Sequence, residues 1–236
     1  MPRAARASIR ALVTDVDGTL TDRQRRLDPA AVALVQRIQA QGVPVILATG
    51  NVLPIALALH RSMGLRGPIV AENGGLLYQN RDGRETVERL CDPKIALAAF
   101  RRLRAKGLPV ERLFTDRWRE TEVALRPTIS PVRVRRALGG MRVTVEDTGY
   151  AIHLMEPGGG KVPALEKALT PLGLTLSDCL VAGDGDNDVP MLRRAAYAVT
   201  FSNGSRRAKA AADFVARSGY ATGFRQAVKR SGVLAR

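Results

Sequence analysis

Ile9-Arg10-Ala11-Leu12-Val13-Thr14-Asp15-Val16-Asp17-Gly18-Thr19 is the stretch on which the reading of this chain turns. The mainly apolar run from Ile9 to Val13 has the length and composition of a buried strand. It stops at two carboxylates one residue apart, followed by a glycine. Ligands of open α/β folds bind above the carboxyl ends of the strands, so a strand that ends this way aims acid groups at one point over a sheet edge. Such a pair can act as nucleophile and general acid, because one carboxylate can be phosphorylated while its neighbour donates and later accepts a proton. Gly18 lets the backbone turn sharply and come close to a ligand. The same residues also fit an ordinary strand-to-loop junction with Asx turns, and the remainder of the chain has to separate the two readings.

Working outward, Asp28 and Pro29 form a cap and first-turn signal for a helix through Val32, Val35 and Ile38 that stops at Gly42. A second apolar strand, Val43 to Leu47, ends in Ala48-Thr49-Gly50-Asn51. A helix from Leu53 to Met63 and a strand from Pro68 to Ala71 follow. The rhythm resumes with a helix from Lys161 to Leu172, a strand from Cys179 to Ala182, a helix from Val189 to Ala195, a strand from Ala198 to Phe201 and a last helix-strand-helix unit. Alternating strands and helices with near-continuous apolar strands predict an α/β fold: a three-layer, Rossmann-like parallel sheet covered on both faces. Right-handed crossovers then bring all the strand C-terminal ends to one rim, so Asp15 and Thr49 share it.

Between roughly residues 81 and 155 the rhythm changes. Helical stretches at Pro93–Lys106 and Pro131–Leu138 alternate with an extended run, Glu120–Leu125, and a hairpin-like pair, Met141–Glu146 and Tyr150–Met155. Met141, Val143 and Val145 are apolar at every second position, the period of a sheet with one solvated face. The expectation is an inserted α+β cap domain, residues 81–155, within a core formed by residues 1–80 and 156–236. Asn80–Gly83 and Glu156–Gly160, rich in turn residues, are its expected hinges.

The second acidic cluster, Gly183-Asp184-Gly185-Asp186-Asn187-Asp188, follows a predicted strand end directly. At an effective dielectric of 20, two like charges about 4 Å apart repel by roughly 4 kcal/mol, so acids gathered on one rim call for positive charge. A hard divalent cation with oxygen ligands, magnesium first, answers that need. Asp184 and Asp188 fit this reading, whereas Asp186 fits better as a cap on the next helix. Lys161 opens a helix after Gly158-Gly159-Gly160 in a chain with few lysines and is the candidate second cation. A nucleotide-binding phosphate loop is the rival for that segment, but Val162 stands where it needs Ser or Thr. Thr49 can give a hydroxyl, and the backbone beside it an N–H, to phosphoryl oxygens.

Composition bounds the rest. The chain has 236 residues, 45% hydrophobic and 25% charged, which is enough for a sizeable core. No apolar run approaches the roughly 20 residues of a bilayer span. Arg3, Arg6 and Arg10 are not followed by the apolar region of a secretory signal, and Cys91 and Cys179 lie far apart, so a cytoplasmic protein with packing cysteines is expected. The net charge of +15 invites a nucleic-acid reading, yet arginines recur along the whole chain and aromatics are only 4%, leaving few stacking platforms.

Taken in order, Asp15-Val16-Asp17-Gly18-Thr19, Thr49-Gly50-Asn51, Lys161 and Gly183-Asp184-Gly185-Asp186-Asn187-Asp188 resemble the four motifs of the haloacid dehalogenase superfamily of phosphatases, with the inserted segment where that superfamily carries a C2-type cap. Ala48-Thr49-Gly50-Asn51 and Gly67-Pro68-Ile69-Val70-Ala71-Glu72-Asn73-Gly74-Gly75 resemble the archaeal-type phosphoglycolate phosphatases in particular. The resemblance implies a nucleophile at Asp15 and an acid/base at Asp17. It implies a phosphoryl-binding set of Thr49, Gly50, Lys161 and Asn187. It further implies Mg2+ held by Asp15, Asp184, Asp188 and the Asp17 backbone carbonyl. The expected reaction is hydrolysis of 2-phosphoglycolate, a small phosphorylated metabolite, by a monomer or homodimer without nucleic-acid or membrane partners. Sugar-phosphate hydrolysis is the alternative within the superfamily, and a basic nucleic-acid-binding protein the alternative outside it. A cap arginine, Arg117, Arg119 or Arg126, or else His153, would suit a glycolate carboxylate, but each is expected at a solvated surface.

Overall fold

The computed structural model describes residues 9–233; Arg3 and Arg6, on which part of the targeting argument rested, lie outside them. In chain order the elements are β1 (Ala11–Thr14), α1 (Pro29–Ala40), β2 (Val45–Ala48), α2 (Leu53–Ser62), β3 (Ile69–Ala71), β4 (Leu76–Arg81), β5 (Arg84–Arg89), α3 (Lys94–Ala105), β6 (Val123–Leu125) and α4 (Pro131–Ala137). They continue with β7 (Thr144–Asp147), β8 (Ile152–Met155), α5 (Lys161–Leu169), β9 (Cys179–Ala182), α6 (Val189–Leu192), β10 (Tyr197–Thr200), α7 (Arg206–Ala211), β11 (Phe214–Val215) and α8 (Tyr220–Ser231).

The larger sheet has eight strands in the order β11-β10-β9-β1-β2-β3-β4-β5. Six of them run parallel. Side chains that alternate along each strand feed two cores: on β1, Leu12 joins the core containing Leu34, Ile38, Met63 and Phe224, while Ala11 and Val13 join the one containing Leu165, Met191 and Ala208. Helices α1, α2 and α8 therefore cover one face and α5, α6 and α7 the other, the expected three layers. The start of α1 is fixed as its sequence indicates, with the Asp28 carboxylate accepting from the Ala31 N–H at 2.7 Å.

The edge of this sheet departs from expectation. β4 and β5 fold back as an antiparallel hairpin, so Asn80–Gly83 is not a hinge. Asp82 and Gly83 turn it with φ of 52° and 83°, and both flanking strands stay in the large sheet. Every residue of β5, Arg-Glu-Thr-Val-Glu-Arg, is exposed, which is why this edge strand carries no apolar signature. Chain leaving the large sheet starts beyond Leu90, whose N–H still donates to the Gly75 carbonyl at 2.8 Å.

The inserted segment builds its own three-stranded antiparallel sheet, β6-β8-β7, over a core of Ala96, Ala99, Leu103, Val134, Ile152 and Leu154. Met141, Val143 and Val145 pack on that core as their alternation indicates, although the strand begins only at Thr144. The two chain crossings are tied by the Asp92 N–H, which donates to Glu156 Oε2 at 2.8 Å. No helix among the described residues is long and apolar enough to cross a membrane.

Candidate active site at the strand ends

β1 pairs with β9 so that Thr14 faces Ala182. The residues that follow, Asp15 and Gly183-Asp184, therefore emerge side by side. On the other flank β1 faces β2, which delivers Thr49 and Gly50. α5 starts under the same rim, and Lys161, only 3% exposed, reaches up between the acids. Its Nζ donates to Asp15 Oδ1 at 2.8 Å and to Asp188 Oδ1 at 2.6 Å. The other Asp188 oxygen accepts from the Asp184 and Gly185 N–H groups, both at 2.9 Å. Asp184 accepts from the Thr19 hydroxyl at 3.1 Å and from Asn203 Nδ2 at 3.0 Å. Gly18, at φ 78°, is required here, since a Cβ on it would run into the Asp184 carboxylate.

The electrostatics are those of a site short of positive charge. Burial pushes the Asp15 carboxyl well above its ordinary range, Lys161 pulls against that, and Asp188 and Asp184 add to it. Asp184 is pushed up to about 7 by burial and by Asp188. Lys161 is raised above its usual value because Asp15 and Asp188 outweigh the burial that would lower it. Oxygen atoms of Asp15, Asp184 and Asp188 all lie within 4.8 Å of one another. An all-oxygen, mutually repelling donor set of this kind fits a magnesium ion.

Asp17 lies outside that trio. Its carboxylate accepts from Asn51 Nδ2 at 2.5 Å on one oxygen and from Arg25 Nε at 2.9 Å on the other. The Thr49 hydroxyl oxygen accepts from the Asn51 N–H at 3.1 Å, and the Gly50 carbonyl accepts from Arg119 Nη2 at 2.9 Å. Asn187 donates to Asn73 Oδ1 at 3.1 Å. All eight residues singled out from the sequence thus gather on one rim.

Others were not anticipated. Asn203 donates to the Gly18 carbonyl at 2.9 Å as well as to Asp184; its place just past β10 was the available signal. His153 and the side chain of Arg119, expected at a solvated surface, are buried instead. Arg119 pairs with Glu122, and His153 Nδ1 lies 3.0 Å from Glu122 Oε1, with Asn73 Nδ2 donating to Glu122 Oε2 at 3.2 Å. Burial would raise the Glu122 carboxyl, but His153 and Arg119 outweigh it and hold it below its ordinary value. The reason is geometric: the segment leading into β6, which carries Arg119, and the face of β8 that carries His153 meet the core loops at Gly50 and Asn73, a contact that no local pattern shows. Arg117 and Arg126 do remain on exposed segments. Asp186 does not cap the following helix. It accepts from the Ser205 hydroxyl at 2.6 Å and from Arg207 Nη1 at 3.2 Å, drawn there because α7 packs beside its loop.

Comparison with known proteins points to one family and one fold. The profile of a haloacid dehalogenase-like hydrolase family matches residues 12–118 and 133–228. A protein of Methanoculleus marisnigri named phosphoglycolate phosphatase is 37% identical over 228 residues, covering 94% of this chain and 96% of its own. One of Methanothermobacter thermautotrophicus with the same name is 37% identical over 223 residues, covering 94% and 98%. Among solved structures, Thermoplasma acidophilum 0175 superposes with a TM-score of 0.86 at 28% identity, over 96% of this chain and 100% of that one. A subclass IIB sugar phosphatase of the same superfamily shares the fold, with a TM-score of 0.77 at 19% identity over 95% and 99%.

Proposed function

The chain belongs to the haloacid dehalogenase-like hydrolases, and from that premise we propose that it is a magnesium-dependent phosphatase that hydrolyses 2-phosphoglycolate to glycolate and phosphate through an aspartyl-phosphate on Asp15. The observation that carries the chemistry is the convergence of Asp15, Lys161, Asp184 and Asp188 in one buried cluster. The substrate assignment rests on the names of the two archaeal relatives.

Asp15 attacks phosphorus as the nucleophile, while Asp17 protonates the departing alcohol oxygen and then takes a proton from the water that cleaves the acyl phosphate. Lys161, with the Thr49 hydroxyl and the Gly50 N–H, orients the phosphoryl oxygens and offsets their charge; Asn187 contributes an amide from the facing loop. Magnesium would be held by Asp15, Asp184, Asp188 and the Asp17 carbonyl, and when bound it supplies charge neutralisation and orientation of the phosphoryl group. The segment from α3 to β8 acts in this reading as a cap that excludes water and selects the leaving group. Its own apolar core and separate sheet support that role.

The test is phosphate release from a panel of phosphate esters, with and without a chelator. Turnover led by 2-phosphoglycolate, lost on chelation and abolished in Asp15→Asn with the fold retained, is the expected result. Turnover of several sugar phosphates with little on 2-phosphoglycolate would overturn the substrate assignment, and full activity in Asp15→Asn would overturn the mechanism.

A further inference from the structure

Asp17 has no rigid scaffold of its own. It precedes Gly18 in a loop, its side chain is 32% exposed, and Asn51 fixes only one of its two oxygens. The other oxygen is held by Arg25, through Nε at 2.9 Å and Nη2 at 2.8 Å. Arg25 sits in a short loop closed by an antiparallel bridge between Thr21 and Leu27, with a left-handed φ of 64°. That conformation is unfavourable for arginine and persists where the surroundings over-determine it. What bears on it from above is Tyr150, in the turn between β7 and β8, whose ring centroid lies 3.8 Å from the guanidinium carbon.

An arginine that is 38% exposed loses much rotamer freedom when held in one pose. A cation stacked on an aromatic face recovers part of that cost and fixes the plane of the guanidinium fork. Here the fork belongs to the core, the ring to the inserted segment, and the carboxylate between core loops is the one read above as acid and base. Proton transfer tolerates little error in position, since donor and acceptor must come within about 2.6–3.2 Å.

Resting on that reading, we infer that Arg25, stacked under Tyr150, is a positioning residue for Asp17, so that seating of the inserted segment on the core and proton transfer by Asp17 are coupled through one cation–aromatic contact. Arg25 and Tyr150 touch neither the phosphoryl site nor the metal trio. Their contribution belongs to the proton transfers of Asp17, of which protonation of the leaving group is the one that kcat/KM reads.

That location gives a readout that a merely structural role would not move. An alkyl phosphate needs its leaving oxygen protonated, whereas p-nitrophenyl phosphate releases a stable nitrophenolate without a proton. kcat/KM is measured for both esters, taking as alkyl ester the best substrate of the panel, in the wild type and in Arg25→Ala, Tyr150→Ala and Tyr150→Phe. A positioned acid contributes on the order of 10²–10⁴ in rate. Arg25→Ala is therefore expected to lose about 30-fold more on the alkyl ester than on p-nitrophenyl phosphate, and Tyr150→Ala about tenfold more. Tyr150→Phe keeps the ring and is expected to behave as the wild type. Equal losses on both esters, or none, would overturn the coupling while leaving the phosphatase reading intact. A wild type inactive on both esters would overturn that reading and the coupling with it.

Discussion

Lys161 donates to Asp15 and Asp188 while almost wholly removed from water, so it neutralises in the pocket what water would neutralise elsewhere. Replacing it by methionine would keep the length of the side chain and leave two buried carboxylates without their cation. Breaking a buried ion pair from one side costs roughly 3–5 kcal/mol. Lys161→Met is expected to lower stability by about that amount without a divalent ion, and magnesium is expected to restore part of the loss, both read from denaturant unfolding with and without the ion. Asp15→Asn should behave in the opposite sense. The Asp15 carboxyl is raised by its burial, so removing its charge is expected to leave the metal-free protein at least as stable while turnover disappears.

Between β3 and β4, Glu72-Asn73-Gly74-Gly75 forms the element that ties core to inserted segment. Glu72 and Asn73 both adopt left-handed backbone, at φ 49° and 53°, a cost that neighbouring bonds offset. The Glu72 carboxylate accepts from the Thr121 hydroxyl at 2.7 Å and from the Thr121 and Glu120 N–H groups at 2.9 and 3.1 Å. The Asn73 N–H donates to the Thr49 carbonyl at 3.1 Å. Gly74, at φ 101°, packs so tightly that a Cβ there would collide with the Gly160 carbonyl, one residue before Lys161. Gly74→Ala combines a left-handed penalty of roughly 1–2 kcal/mol with an overpacking cost of similar size. It is expected to destabilise the protein by about 2–4 kcal/mol in urea unfolding, and to reduce turnover by displacing the start of α5.

Across the whole molecule, the pocket couples folding to pH and to the divalent ion. The Asp184 carboxyl is pushed up to about 7 in the folded state from an unfolded value of about 4. The metal-free folded state therefore holds its proton more tightly than the unfolded chain, and this group's favourable contribution, complete below the unfolded value, is lost as pH rises through about 7. A bound divalent ion offsets the burial cost and the Asp188 repulsion that together produce that shift. Magnesium is therefore expected to raise Tm more at pH 8 than at pH 5, measured by thermal unfolding at matched ionic strength. A larger rise at pH 5 would contradict the assignment of Asp184 to the ion.

The alternation of apolar strands with amphipathic helices, the acid pair after β1 and the acid run after β9 were legible in the sequence, because burial on both sheet faces and a shared strand-end rim follow from local composition and crossover handedness. The β4–β5 hairpin was not, since an edge strand exposed on all its residues leaves no apolar trace. Nor were the burial of His153 and of the Arg119 side chain, the role of Asn203 or the stacking of Tyr150 on Arg25. The sequence by itself determined which groups carry charge at the ends of which strands. Only the tertiary structure decided which of those charges meet, because a contact between residues 25 and 150 or 119 and 50 depends on how two separately formed sheets pack, and neither segment's own pattern contains the other's position.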